Sequence, residues 1–288
     1  MRKLALAASG MAVTLALTAC GGDGETATGL SGGGAGTFGD LQQLVASVGD
    51  KAEQVQSVKF DAEMTMLGMN FTMTGQSRMD PDDIAMSMTM SMAGQEQEVR
   101  IVDQAIYMRM PDSGEPGKPW QKGDMSGQFA ELENNASMAA LLESYNPRKT
   151  LEQFQQSGGT ITGSEATTLD GQRVTLYTID IDPVEMMKAS GEEMPAEMMS
   201  MMESLGTIPA LLYLDSENLP VRMEFEMNMN DMVREAAEAA GEEIPAEVKN
   251  NPDMLTMSMS QNYYDWGQPV TIEAPPADQV SSTPLEGF

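Results

Sequence analysis

The sequence predicts an α+β protein built on one curved antiparallel sheet with helices laid against one face. Three observations carry that expectation. Most of the chain after residue 57 alternates apolar and polar residues with a period of two. The breaks between the alternating segments are short, which implies hairpins and hence antiparallel pairing. The helical patterns are few and fall between strands.

In chain order, Asp40 is placed to cap a helix running to about Val55, with Leu41, Leu44, Val45 and Val48 on one face. Segments 57–67, 70–79, 83–92, 97–103 and 104–111 read as strands. They are separated by Gly68-Met69, Asp80-Pro81-Asp82, Ala93-Gly94-Gln95 and Asp103-Gln104. A Pro/Gly-rich loop around Trp120 is expected over 112–126, and two short helices over 136–158, broken near Asn146-Pro147. Strands resume at 159–169 and 172–181, with Asp170-Gly171 as a type I′ hairpin signal. A helical piece near 183–205, strands at 209–215 and 220–229, a second helical piece near 231–250, a strand at 254–264 and an extended end at 269–273 complete the pattern. Residues 189–198 and 239–248 match closely, each with a Gly where one helix stops and a Pro where the next starts, either as related insertions or as shared capping chemistry.

The two ends carry a different message. Arg2 and Lys3 precede an apolar stretch from Leu4 to Leu17, with small residues before Cys20, the pattern of a secretory signal peptide over residues 1–19. Leu17-Thr18-Ala19-Cys20-Gly21 is similar to the lipobox of bacterial lipoproteins, in which the cysteine thiol is lipid-modified and becomes the new N-terminus. Residues 20–39 are Gly-rich and read as a flexible tether whose reach, for ~18 residues, is about 23 Å. The domain proper is expected over 40–280, with 281–288 as a C-terminal tail. The chain should be a monomer held to the extracytoplasmic face of the cell membrane by acyl chains on Cys20.

Composition excludes several functions. With 44 acidic against 16 basic residues the chain would repel phosphate backbones, so no nucleic-acid partner is expected. There is no histidine, and the one cysteine is committed to the anchor, so no Ser-His-Asp, Cys-His or zinc cluster can be assembled. No cofactor or catalytic residue is expected; the chain reads as a binding protein, not an enzyme.

Its 29 methionines are placed in a pattern. Met86, Met88, Met90 and Met92 alternate with small polar residues, giving a strand one thioether face. Met64 and Met66, Phe71 and Met73, Met223, Phe225, Met227 and Met229, and Met257 and Met259 repeat the pattern, and all should point to one side of the sheet. Helix-forming stretches add Met186, Met187, Met194, Met198, Met199, Met201 and Met202, which would cover that side as a lid, with Gly191 and Gly241 as hinges or caps. Methionine is unbranched and polarizable and repacks around differently shaped apolar partners. The expectation is a deformable apolar cavity for acyl chains; an ordinary methionine-rich core is the alternative. Thioethers also coordinate Cu(I), but neighbours along one strand face are ~6.6 Å apart, and neither His nor a free Cys is present to help.

The run Tyr263-Tyr264-Asp265-Trp266-Gly267-Gln268-Pro269-Val270-Thr271-Ile272-Glu273, continuing to Val280, resembles the ending of actinobacterial lipoproteins related to LppX and LprG, whose fold is similar to LolA. Ser57-Val58-Lys59-Phe60, Gly117-Lys118-Pro119-Trp120 and the lipobox fit the same group, and the resemblance covers roughly residues 40–280. It implies a half-open barrel, a strongly bent antiparallel sheet wrapped around helices, that takes the acyl chains of a lipid or lipoglycan as a carrier or chaperone. The same fold also admits an envelope sensor or transporter-linked module that binds a partner protein. Trp120 and Trp266 would then sit at the mouth or anchor loops.

Overall fold

The computed structural model describes residues 37–80, 83–110, 115–124, 147–190, 205–230 and 255–283, together with single positions such as 199, 202 and 285. Helix α1 spans Leu41–Val55. The Asp40 carboxylate accepts from the backbone N–H groups of Gln42 and Gln43 at 2.6 and 3.3 Å, satisfying two donors that the first turn leaves unpaired. Gln56 ends the helix in the left-handed conformation, φ 57°, and its N–H bonds Ala52 O.

The strands follow as β1 Ser57–Met66, β2 Met69–Asp80, β3 Asp83–Met92, β4 Gln95–Val102, β5 Ala105–Arg109 and β6 Trp120–Asp124. After α2, Pro147–Gln156, come β7 Thr160–Leu169, β8 Gln172–Ile181, α3 Pro183–Ser190, β9 Ile208–Leu214, β10 Pro220–Asn228 and β11 Thr256–Tyr264. All eleven strands form one sheet in the order β6-β5-β4-β3-β2-β1-β11-β10-β9-β8-β7, antiparallel throughout. It does not close on itself, so β6 and β7 are its edges. Proline opens both α2 and α3, where its missing N–H costs nothing, and Asp182 caps α3 by accepting from Val184 N and Glu185 N.

Hairpin chemistry sets the register. Asp170 and Gly171 have φ of 51° and 84°, as a type I′ turn requires, and Asp103 and Gln104 adopt the same geometry without a glycine. The β1–β2 turn falls on Leu67-Gly68, one residue earlier than expected, so Met69 belongs to β2 and pairs with Met66. The expected loop over 112–126 contains strand β6, which Trp120 opens by pairing with Arg109. β4 begins at Gln95, two residues before its expected start, because the Ala93-Gly94 turn is tight. The expected helix at 136–146, and most of the two matching insertions, lie outside the described residues.

Curvature is visible in what shares a core. Ile106 and Met108 of β5 pack in one cluster with Tyr177 and Ile179 of β8, around Leu44 and Val48 of α1 and Leu151 and Phe154 of α2. The sheet is an open, curved half-barrel, with α1 and α2 packed on its apolar face. No helix among the described residues is long and apolar enough to cross a membrane.

Candidate functional site

Strand register brings the methionines together. Met64 of β1 pairs with Phe71 of β2 on one side and Met259 of β11 on the other, and Met259 pairs with Phe225 of β10. Met73 pairs with Met90, Phe71 with Met92, Met227 with Met257, and Met66 with Met69. Because facing residues of an antiparallel pair project to the same side, these thioethers and rings form one surface on the concave side of the sheet.

That surface has two parts. Towards the base of the sheet, where α1 and α2 cover it, Met86, Met88, Met108 and Met223 are 8, 2, 2 and 1% exposed and belong to the closed core. Phe60 lies over Gly75 so closely that a Cβ there would come within 2.4 Å of its ring. Towards the opposite end, at the β1–β2 and β3–β4 turns, Met64, Met66, Phe71, Met73, Met90, Phe225, Met227, Met257 and Met259 are only half-buried, and Met229 follows them beyond the end of β10. Met69 and Met92 are exposed. The segments joining β8 to β9 and β10 to β11 leave from and return to this same end.

Of the residues expected in a lid, Met186 of α3 packs against the core, and Met187, Met199 and Met202 are half-buried in helical conformation. Met194, Met198, Met201, Gly191, Gly241 and Cys20 lie outside the described residues. Trp266 is a loop anchor at the base, its ring packed on the core and its Nε1 donating to Pro220 O at 2.8 Å. Trp120 is buried on the other face of the sheet, with the Arg100 guanidinium 4.8 Å from its ring centre.

Polar side chains interrupt the apolar surface at Ser77, Gln97 and Gln261, and the first two bond backbone carbonyls, Ser77 Oγ to Ala85 O and Gln97 Nε2 to Arg109 O. Gln261 of β11, between Ala62 and Met223, is 1% exposed, and its Nε2 has no hydrogen-bond partner among the described residues. An orphaned buried donor costs about 1–3 kcal/mol. The alternation of Met257 and Met259 places it on the inward face, but a glutamine there carries no sign of being buried.

The convex face is built differently. After β11 the chain crosses it as a strap. Gly267 N bonds Ser57 O, Gln76 Nε2 bonds Thr271 O and Arg100 Nη1 bonds Glu273 O. Ile272 seals a small second core of Ala85, Val102, Ala105, Tyr107 and Trp120. Beyond 280, where a separate tail was expected, Ser281 N bonds Trp120 O, Leu285 N bonds Lys122 O, and Leu285 is buried in the main core. Glu115 holds this end: its carboxylate takes Lys118 Nζ at 2.7 Å, Ser282 N at 2.8 Å and the hydroxyls of Ser281 and Ser282, which together keep its pKa down at about 2.

Two further grooves mix polar and apolar walls. One of about 560 Å³ at the base is walled by Asp170, Asp215, Glu217, Arg222 and Asn262, where Arg222 bonds Asn262 Oδ1 at 2.6 Å and Asp170 Oδ2 at 2.9 Å. Another of about 370 Å³ is bordered by Glu63, Glu224 and Ser260 together with the apolar Pro209, Leu211 and Phe225. No cluster of three or more His, Cys, Asp or Glu that could hold a metal occurs among the described residues.

No family model and no curated protein sequence matches the chain. Among solved structures it is similar to the Mycobacterium tuberculosis lipoprotein LppX, at 15% identity and a TM-score of 0.44, over 81% of this chain and 98% of that one. It is also similar to MucB in complex with periplasmic MucA, at 13% identity and a TM-score of 0.31, over 64% of this chain and 48% of that one. A DUF1329 family protein from Desulfovibrio piger gives 10% identity and a TM-score of 0.26, over 78% and 91%. LppX is a member of the group that the lipobox and the Tyr263–Val280 run resemble.

Register supplies what alternation along one strand could not. The objection to a Cu(I) site, that neighbours on a strand are too far apart, does not apply across strands, where directly paired Cβ atoms are ~4.5–5.5 Å apart. The strap was likewise missed, because its contacts join residues about 200 positions apart, as in the Ser57–Gln268 bond.

Proposed function

We propose that the protein binds the acyl chains of a lipid or lipoglycan against its methionine surface, as a carrier or chaperone. In this reading it is held by lipid on Cys20 at the extracytoplasmic face of the cell membrane, and it carries out no chemistry of its own. The observation that supports the reading is the uneven cover of one continuous apolar face: closed at the base, only partly buried over Met64, Met66, Phe71, Met227, Met257 and Met259. A core serving stability alone would favour side chains with better-defined rotamers and would be covered throughout. Thioethers that reach a surface can instead adapt to a flexible hydrocarbon guest.

Native mass spectrometry of the protein purified from a bacterial host tests this. The expected result is a mass raised by co-purifying lipid; a clean apo mass under gentle conditions counts against the carrier. Met227→Lys, at a half-buried position, should abolish uptake of a fluorescent fatty acid while the fold survives. Unchanged uptake would remove Met227 from the site.

A further inference from the structure

The half-exposed end of the methionine surface finishes in two adjacent hairpin tips. Leu67 and Met69 at the β1–β2 turn are each 48% exposed, and Met92 beside the β3–β4 turn is 45% exposed. The Phe71–Met92 pairing sets these tips side by side. Residues 64–77 and 84–95 carry no charged side chain, in a chain of net charge −28. Leu67 also holds a left-handed backbone, φ 52°, at a turn position where Asn or Gly is less strained. A bulky apolar residue kept exposed in a strained turn is a feature that solubility and folding both oppose.

We propose that these tips dock onto the interface of an electrically neutral lipid bilayer, so that an acyl chain passes between membrane and methionine surface without crossing water; this rests on the acyl-binding reading above. Hydrocarbon drawn through water loses its transfer free energy methylene by methylene, and continuity between the lip and Met64, Met66 and Phe71 removes that barrier. The excess of carboxylates repels an anionic surface, which selects neutral lipid and leaves the uncharged tips as the part able to approach.

The test uses the full anchored protein in phosphatidylcholine vesicles, with a nitroxide on single introduced cysteines: Leu67→Cys, Met92→Cys, and Glu217→Cys in the β9–β10 turn at the opposite end. Cys20 is the one native cysteine, so the parent protein gives the background labelling. At 67 and 92, collisions with oxygen should exceed those with a water-soluble nickel chelate several-fold, and at 217 the order should reverse. Tips that read like 217 overturn the docking. Fatty-acid uptake measured on the same preparation separates the two ideas: uptake with water-exposed readings at both tips sinks docking alone, whereas immersed tips without uptake sink the acyl-binding reading. Replacing a third of the lipid with phosphatidylglycerol should lift the tips out; unchanged immersion overturns the preference for neutral lipid.

Discussion

Met88 and Met92 lie on the same face of the same strand, yet one is 2% exposed and the other 45%. Between them the face passes out from under α1 and α2. The residue type is constant and the cover changes, so methionine content by itself says little about function; what sits above each thioether decides whether it holds the fold or meets a guest. Base and lip are two uses of one surface, and they should respond differently to mutation.

The largest expected contrast comes from placing a charge at each end. Met88→Lys puts an ammonium in the closed core with no partner and should cost more than about 4 kcal/mol, read as loss of the cooperative urea transition. Met92→Lys should change stability by no more than about 0.5 kcal/mol while lowering acyl uptake. Equal stability losses at the two positions would erase the distinction between base and lip.

Gly75→Ala sharpens the base side of the contrast. The added Cβ meets the Phe60 ring at 2.4 Å, and the overpacking should cost about 1–3 kcal/mol in thermal or chemical melts. Gln261→Met should act in the opposite sense, raising stability by about 1–3 kcal/mol, because it removes the orphaned donor and keeps the volume. A loss of stability there would mean that the amide is satisfied in solution.

The smallest effect concerns the strap. Glu115 is held at about 2 against 4.5 for a free glutamate, chiefly by Lys118 and then by Ser282 and Ser281. Its contribution is therefore complete above pH 4.5 and is lost as pH falls from there towards 2. Backbone amides of Ser281 and Ser282 should gain hydrogen exchange only in that acidic window, once the intrinsic rate is corrected for. Fatty-acid uptake should be level between pH 7 and 5.

Much of this architecture was legible along the chain. Asp40 as a cap, the Asp170-Gly171 turn and the alternation over 83–92 each rest on local chemistry, which a few consecutive residues are enough to specify. Strand β6 was not legible, since five residues opening on Trp120 after a Pro/Gly loop carry almost no alternation. The split of the methionine surface into base and lip was hidden for a different reason. Alternation reports which side a residue faces, whereas exposure depends on elements distant in sequence, here α1 and α2. Gln261 shows the same limit: alternation with Met257 and Met259 points it inward, but only its place between Ala62 and Met223 under the core reveals that it is buried.

An open sheet has two margins at which a second molecule could add a strand. At β6 the strap runs alongside, with Trp120 bridged to Val280 and Lys122 O already occupied by Leu285 N. At β7 the ladder is broken between Ile161 and Gly163, and the strand is largely exposed and rich in Thr. Such margins are poor templates for edge-to-edge growth. The same C-terminal segment that seals the convex face thus guards against polymerisation, and trimming it back should show first as fibre formation among crowded molecules.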